Sequence, residues 1–228
     1  MRHIIDLAEQ GQLADTLIIL LPGAYQSPED FINEGFVKAV RERKLAIDIY
    51  MAELSFNDIA NQNALSEIHD SLIQPAIVSG YQYIWLAGIS IGGYITMAYA
   101  DQYANQLAGL LLLAPYPGNR MTTAEIAYAG GVQSWNPETI PDEDTERGNW
   151  YWLKTHANTE VGNICPIEVH LGYGMQDRFA ESHLMMAQAL PAQNVDKILG
   201  DHVWPVWPVW LQLWNQFLDK RFVTHDHD

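Results

Sequence analysis

A serine at position 90 stands between glycines in the pattern Gly88-Ile89-Ser90-Ile91-Gly92. Small residues two positions before and after a serine permit a sharp turn that holds it in a strained backbone conformation. Such a turn exposes the hydroxyl group, so the pattern predicts that Ser90 is a nucleophile. The alternative interpretation is an ordinary glycine-rich turn that joins a strand to a helix.

The residues on either side of Ser90 favour the nucleophile. Tyr83 to Ala87 predicts a strand before the motif, and Tyr94 to Ala100 predicts a helix after it. At the N-terminus of a helix, unpaired N–H groups and the helix dipole stabilise the negative charge of a tetrahedral intermediate. On these residues the chain resembles the α/β-hydrolase family over nearly its whole length, and most resembles its small serine esterases and thioesterases.

This resemblance implies that an acid and then a histidine follow the nucleophile along the chain. Asp177 lies in a loop after the predicted strand Ile167 to Leu171, which is where the acid of the family lies. There it would hold the imidazole in its productive tautomer and stabilise the imidazolium. The alternative is a loop aspartate that caps the following helix at Phe179.

His202 is the expected general base. It follows the last predicted strand, Asp196 to Leu199, and precedes the C-terminal helix, where the family has its catalytic histidine. The other histidines of the chain lie near its termini, within strands or on helices. Asp201 is adjacent in sequence and is a weaker candidate than Asp177 for orienting the imidazole.

An acyl-transfer site also needs two N–H donors for the developing oxyanion. The resemblance implies Ile91, the residue after the nucleophile, as one donor and the loop after the first predicted strand as the source of the other. We expect Ala24, because Gly23 permits a sharp turn there, with Gly23 or Tyr25 as alternatives. Pro22 replaces the histidine of the common His-Gly signature, and an ordinary type II turn would look the same in sequence.

Two aromatic residues are candidates for substrate binding. Tyr25 belongs to the same loop as Ala24, and Trp204 follows His202 closely enough to form a wall of the site. Trp204 also belongs to a stripe that is more typical of core packing. The members of that stripe are Trp204, Trp207, Trp210 and Trp214.

Short apolar runs alternate with longer helical patterns, which predicts parallel strands joined by helical crossovers. The expected strands are Thr16 to Leu21, Leu45 to Met51, Tyr83 to Gly88, Leu107 to Ala114, Ile167 to Leu171 and Asp196 to Leu199. The expected helices are Pro28 to Arg43, Ala64 to Ser79, Ile91 to Ala104, Phe179 to Leu190 and Val206 to Phe222. We therefore predict one α/β domain over 1–228, with a mostly parallel, doubly wound sheet of six or seven strands and helices on both faces. The short N-terminus leaves little room for the opening hairpin of the family.

The segment 116–163 has no clear period and collects Gly, Pro, Trp and acidic residues. We expect it to be a lid-like or cap-like insertion that overhangs the site and selects the acyl group. Its aromatic residues suggest an apolar or aromatic substrate. These residues are Trp135, Trp150, Tyr151 and Trp152.

Composition limits the partners. With 12 basic and 28 acidic residues the net charge is −16, which argues against nucleic-acid and anionic-membrane partners. The single Cys165 cannot form an intramolecular disulfide, and neither a leader nor a membrane-spanning run is found, so a reducing cytoplasm is expected. The tail His225 to Asp228 has metal-ligand residue types but is short and terminal, so no metal or cofactor is expected.

Together these features predict a serine hydrolase that cleaves carboxylic esters of small or medium acyl groups through an acyl-enzyme on Ser90. The expected partner is a small-molecule acyl ester or thioester. An acyl-thioester hydrolase or an acyltransferase with the same triad is the enzymatic alternative. A non-catalytic binding protein with a hydrolase fold is the alternative from another class.

Overall fold

The first long strand is buried on both of its faces. Leu17 and Ile19 belong to one hydrophobic cluster and Ile18 to another, and all three side chains are 0% exposed. A strand that is covered on both faces requires helices on both sides of its sheet. The computed structural model, which describes residues 1–55, 63–156, 167–202 and 207–223, has this arrangement.

Within the described residues, seven strands form one sheet. They are β1 His3–Asp6, β2 Thr16–Leu21, β3 Ile47–Ala52, β4 Tyr83–Ile89, β5 Gly109–Leu113, β6 Glu168–Gly174 and β7 Val195–Ile198. Their order across the sheet is β1-β3-β2-β4-β5-β6-β7. Strands β2 to β7 are parallel, and β1 pairs antiparallel with β3 at one edge.

Helices cover both faces of this sheet. The described helices are α1 Pro28–Asn33, α2 Phe36–Glu42, α3 Ala64–Ile68, α4 Gln74–Ser79, α5 Ile91–Tyr103, α6 Arg120–Tyr128, α7 Thr145–His156, α8 Ala180–Ala187 and α9 Trp207–Phe222. Helices α1, α2 and α9 pack on one face, and α3 to α8 contribute to the cluster on the other face. A π-helical turn, His69–Ile73, joins α3 to α4.

The predicted α/β class, with a mostly parallel sheet of six or seven strands, is confirmed. The helix expected over 28–43 is two helices, because Gly35 adopts a φ of 89° between them. In place of an opening hairpin, the single antiparallel strand β1 covers the sheet edge. Helices α6 and α7 lie in the segment 116–163, for which the sequence showed no clear period.

The strand order reverses beside β2. From β2 the chain crosses to β3 on one side and then to β4 on the other side. At such a switch point, the loops at the carboxyl ends of the two strands diverge and leave a crevice. The loop after β2 and the turn after β4, which contains Ser90, therefore flank the crevice where a site is expected.

Asp48 on β3 fixes the segment between β1 and β2. Its buried carboxylate accepts hydrogen bonds from the Ala8 N–H at 2.7 Å, the Ala14 N–H at 3.0 Å and the Tyr81 hydroxyl at 2.8 Å. We expect Asp48→Ala to lower the free energy of unfolding by about 3 to 5 kcal/mol, because it leaves three donors without their acceptor. Urea denaturation would measure the change.

Asp15→Ala is the matched control for this prediction. Asp15 is exposed and its carboxylate accepts one side-chain hydrogen bond, from Gln82 at 3.1 Å. Both substitutions remove one carboxylate from an acidic chain, but only Asp48 accepts from buried and partly buried donors. We expect Asp15→Ala to stay within about 0.5 kcal/mol of the wild type. Equal losses in the two variants would contradict the role assigned to the Asp48 carboxylate.

Candidate active site

Ser90 lies in a strained turn between β4 and α5. Its backbone angles, φ of 51° and ψ of −113°, lie outside the regions that residues with a side chain favour. The neighbouring glycines allow this turn: a Cβ on Gly88 would lie 2.3 Å from the Gly92 carbonyl, and a Cβ on Gly92 would lie 2.4 Å from the Leu21 carbonyl oxygen. Both positions therefore exclude any larger residue.

The three residues expected to form a triad meet at the carboxyl ends of the parallel strands. The Ser90 Oγ lies 3.2 Å from the His202 Nε2, and the His202 Nδ1 lies 2.7 Å from the Asp177 Oδ2. A carboxylate only accepts hydrogen bonds, so the Nδ1–H donates to Asp177 and the Nε2 accepts from the serine hydroxyl. This is the tautomer in which an imidazole can remove a proton from serine.

Asp177 hydrogen-bonds both to His202 and to the backbone just before α8. Its Oδ2 accepts from His202, while its Oδ1 accepts from the Phe179 N–H at 2.8 Å, just before α8 begins. Burial by itself raises the pKa of this carboxyl, but the hydrogen bonds from His202 and Phe179 outweigh burial and hold the pKa below its ordinary value. Asp177 is therefore ionised at neutral pH and can stabilise an imidazolium.

Aromatic rings fix the position of the His202 imidazole. Phe179 and Trp210 both pack edge to face against it, with ring centroids 5.7 and 5.4 Å away. A cavity of about 310 Å³ opens beside Ser90 and His202. Its lining residues are Gly23, Ala24, Tyr25, Gln26, Ser90, Arg178, His202 and Trp210.

The loop after β2 lies at this cavity and forms a tight turn. The Gln26 N–H donates to the Gly23 carbonyl, and Tyr25 within the turn has a φ of 63°. The Gly23 N–H donates to the Gln26 Oε1 at 2.6 Å, so Gly23 is not the second oxyanion donor. Ala24 and Tyr25 remain the candidates on this loop. Ile91 begins α5, where the first N–H groups have no partner within the helix.

The structure gives different results for the residues that the sequence suggested for substrate binding. Tyr25 lines the cavity, with 93% of its side chain exposed. Trp204 lies outside the described residues. The aromatic residues of the segment 116–163 suggested an apolar or aromatic substrate, but three of them are at most 3% exposed, belong to the core and do not line this cavity. These three are Trp135, Trp150 and Trp152.

Sequence reasoning missed three residues of the cavity. Trp210 was grouped with a core stripe, and it is buried, but it also lines the cavity against His202. Arg178 could have been suspected because it directly follows Asp177, and Gln26 because it follows the turn of the oxyanion loop. Nothing in their spacing indicates that the three side chains meet.

A second histidine, His183 on α8, packs behind the triad. Its Nε2–H donates to the Pro115 carbonyl at 2.9 Å, its Nδ1 has no partner, and the side chain is 0% exposed. Burial lowers the pKa of His183, and this outweighs the Pro115 carbonyl and the charge of Asp177, which both raise it. His183 is therefore neutral in the folded protein.

His183 should make stability decrease in acid. Below a pH of about 6.5 the unfolded chain binds a proton at this histidine, while the folded chain does not, so the free energy of unfolding falls as the pH falls. We expect His183→Gln to remove about 1 kcal/mol of the loss that the wild type shows between about pH 7 and pH 5.5. Urea titrations at both pH values measure this difference. The same loss in both proteins would contradict a neutral, buried His183.

Within residues 1–55, 63–156, 167–202 and 207–223, no group of three His, Cys, Asp or Glu side chains could hold a metal ion. In the same part of the chain, no helix has the length and apolar character to cross a membrane. Cys165 and the tail His225 to Asp228 lie outside the described residues.

No protein-family model and no curated protein matches the chain in sequence. Solved structures match it in fold. The substrate-bound fluorophosphonate-binding serine hydrolase F (FphF) of Staphylococcus aureus has a TM-score of 0.65 at 16% identity, over 96% of this chain and 91% of that chain. The S-formylglutathione hydrolase FrmB of the same species has a TM-score of 0.61 at 16% identity, over 96% and 88%.

A third match is MGS-MChE2, an α/β-hydrolase enzyme from the metagenome of lagoon sediments at Mar Chica, Morocco. Its TM-score is 0.58 at 14% identity, over 96% of this chain and 94% of that chain. At such low sequence identity, the likeness concerns only the arrangement of strands and helices. Together with the parallel sheet and the turn at Ser90, these matches show that the chain has the α/β-hydrolase fold.

Proposed function

We propose that this protein is a serine hydrolase that cleaves carboxylic esters through an acyl-enzyme on Ser90. The observation that carries the proposal is the chain of hydrogen bonds from the Ser90 Oγ through His202 to Asp177. A serine hydroxyl is a weak nucleophile until a base accepts its proton, and this geometry supplies both the base and the group that orients it. The strained turn that presents Ser90 adds independent support.

In the proposed reaction the Ser90 Oγ attacks the ester carbonyl while the His202 Nε2 takes the hydroxyl proton. The tetrahedral intermediate collapses, the bond to the alcohol oxygen breaks, and His202 returns the proton to the leaving alcohol. Water then attacks the acyl-enzyme and gives a proton to His202; the bond to the Ser90 Oγ breaks, His202 returns the proton to that oxygen, and the acid product leaves. Asp177 stays ionised throughout and stabilises the imidazolium.

The Ile91 N–H and a donor from the loop after β2 are proposed to bind the oxyanion. The loop and the start of α5 are in close contact, since a Cβ on Gly92 would collide with the carbonyl oxygens of Leu21 and Pro22. Donors on these two segments can therefore point at one oxygen. Ala24 remains our choice for the second donor.

The segment 116–163 is proposed to act as a cap on this site. It begins at the nucleophile, because the Tyr116 N–H donates to the Ser90 carbonyl at 2.8 Å. The Tyr116 ring then packs against Tyr94 and Phe179, with centroids 5.8 Å apart in both pairs. The segment thus begins beside the turn at Ser90 and the Phe179 ring, while none of its described residues lines the cavity itself.

A thioester is the second candidate substrate. The fold match to an S-formylglutathione hydrolase, whose name specifies an acyl–sulfur bond, favours including it. The same triad can release a thiol or an alcohol, and transfer to an acceptor other than water would give an acyltransferase. We keep the carboxylic ester as the first choice, and the cytoplasm as the expected location.

Hydrolysis of a panel of p-nitrophenyl esters and acyl-CoA thioesters tests the proposal. The wild type should cleave at least one series, with preference for acyl chains that fit the cavity of about 310 Å³. Ser90→Ala should abolish turnover while retaining the fold, since alanine keeps the backbone and removes only the hydroxyl. A purified wild type that cleaves neither series would favour a non-catalytic binding protein and contradict the proposal.

A further inference from the structure

Arg178 is a cation beside Ser90 that has no carboxylate partner among the described residues. All 12 basic residues of the chain lie in its described part, and most of them pair with an acidic side chain. The paired ones are Arg2, Lys38, Arg41, Arg43, Arg147, Lys220 and Arg221. Arg178 forms no ion pair with any described acidic residue, although the chain has 28 acidic residues. Its guanidinium is therefore available to a ligand.

The Arg178 side chain is held at the side of the candidate triad. Its guanidinium lies over the Phe179 ring, 4.7 Å from the centroid, and this ring packs against His202 at 5.7 Å. Arg178 also lines the same cavity as Ser90. A group bound to Arg178 would therefore belong to a substrate whose carbonyl is within reach of the nucleophile.

The charge of this cavity is opposite to that of the protein. Among the described residues that line it, none is an aspartate or glutamate, and Arg178 is the one lysine or arginine. The neighbouring carboxylate of Asp177 is already bound by His202 and by the Phe179 N–H. By contrast, a larger cavity of about 550 Å³ is lined by four acidic side chains: Asp101, Glu138, Asp142 and Asp144.

The other polar side chains of the cavity wall offer donors as well. The Gln26 Oε1 accepts from the Gly23 N–H, and the Gln26 NH₂ group has two hydrogens to donate to a ligand. The Trp210 ring lines the cavity, while its Nε1–H is buried and has no acceptor among the described residues. The cavity is thus suited to an electron-rich ligand.

We infer that Arg178 binds an anionic group of the substrate, so that the site accepts esters that carry a carboxylate or a phosphate near the scissile bond. This inference rests on the proposed function. A guanidinium offers two parallel N–H donors that match the oxygens of these anions. The anion can belong to the acyl part or to the alcohol part of the ester, and these sources give different substrates.

Matched ester pairs test this substrate class. For the acyl side, monomethyl adipate is compared with methyl hexanoate; for the alcohol side, butyryl glycolate is compared with ethyl butyrate. The wild type should prefer the anionic member of at least one pair, as a ratio of kcat/KM. Arg178→Met should lower that ratio about 10- to 50-fold, the loss expected for a charge-assisted hydrogen bond at a partly open site.

Arg120→Met is the matched control. Arg120 is exposed at the start of α6, forms no ion pair with the described residues and does not line the cavity. Its substitution therefore removes the same charge from the protein at a position away from the cavity. Its ratio should stay within about twofold of the wild type, since exposed charges far from a site are screened. Equal preference for neutral and anionic esters in the wild type, or equal losses in the two variants, would overturn the inference.

Binding without turnover separates this inference from the proposed function. Calorimetry with monomethyl adipate and butyryl glycolate on Ser90→Ala, with and without Arg178→Met, requires no catalysis. We expect the second substitution to weaken binding of the preferred anionic ester about 10-fold or more. Unchanged affinity would reject the role of Arg178 even if the wild type proves to be an esterase.

Discussion

Replacing His202 by alanine is expected to lower kcat for ester hydrolysis by about 10⁴- to 10⁶-fold. The imidazole is the only described group within hydrogen-bonding distance of the Ser90 Oγ. Without it, the serine proton has no acceptor during attack and the leaving alcohol has no donor. Steady-state kinetics with the best p-nitrophenyl ester would measure the loss.

The double variant Ser90→Ala/His202→Ala sharpens this prediction. When two groups act in the same proton transfer, the effects of removing them are not additive. The double variant should therefore lose about as much kcat as either single variant. Losses that multiply would show that the two residues act independently. His183→Ala is not a suitable control for His202→Ala, because it removes the hydrogen bond from His183 to the Pro115 carbonyl within the core and would also lower stability.

Asp177→Asn is expected to lower kcat by about 10³- to 10⁴-fold at neutral pH. The amide cannot balance an imidazolium, and it no longer enforces the tautomer in which Nε2 accepts from Ser90. The Asn oxygen can still accept from the Phe179 N–H, so the start of α8 is retained and the melting temperature should change far less than the rate. Kinetics and thermal melts of the same preparation separate the two effects.

Asp201→Asn is the matched control for this second prediction. Asp201 is adjacent to His202 in sequence and is exposed, whereas the His202 Nδ1–H donates to Asp177. We expect the Asp201 variant to keep most of the activity. If Asp201→Asn lowered kcat more than Asp177→Asn, the carboxylate that orients His202 would be Asp201, and our assignment of this role to Asp177 would be wrong.

The central part of the fold could be predicted from the sequence. A strand such as β2, buried on both faces, leaves a continuous apolar run that solvent-facing strands lack. The edge strand β1 leaves a weaker pattern, because it has four residues and one side without a partner strand. Its place in the sheet depends on pairing with β3, about 45 residues later, and local patterns carry no record of such pairing.

The segment 116–163 shows another limit of sequence reasoning. Helix α7 packs its tryptophans Trp150 and Trp152 into the core, while Tyr151 between them is 44% exposed. Burial of a helix that also carries charged residues depends on the shape of α5 beneath it, which the sequence of the helix does not specify.

The site could be predicted to the extent that it depends on turns at strand ends. The glycines at 88 and 92 specify the turn at Ser90, because a side chain there would collide with backbone atoms. Arg178 and Trp210 could not be assigned to the site, because they come from different elements that meet only after folding. Their contributions follow from tertiary packing rather than from spacing along the chain.

Labelling with a fluorophosphonate probe, followed by peptide mass spectrometry, tests the central claim most directly. A serine that is activated by a base displaces the leaving group of the probe and becomes phosphonylated, whereas an ordinary serine does not react. Our account predicts one modified residue, Ser90, with labelling lost in Ser90→Ala and in His202→Ala. Modification of any other residue, or labelling that persists in Ser90→Ala, would contradict it.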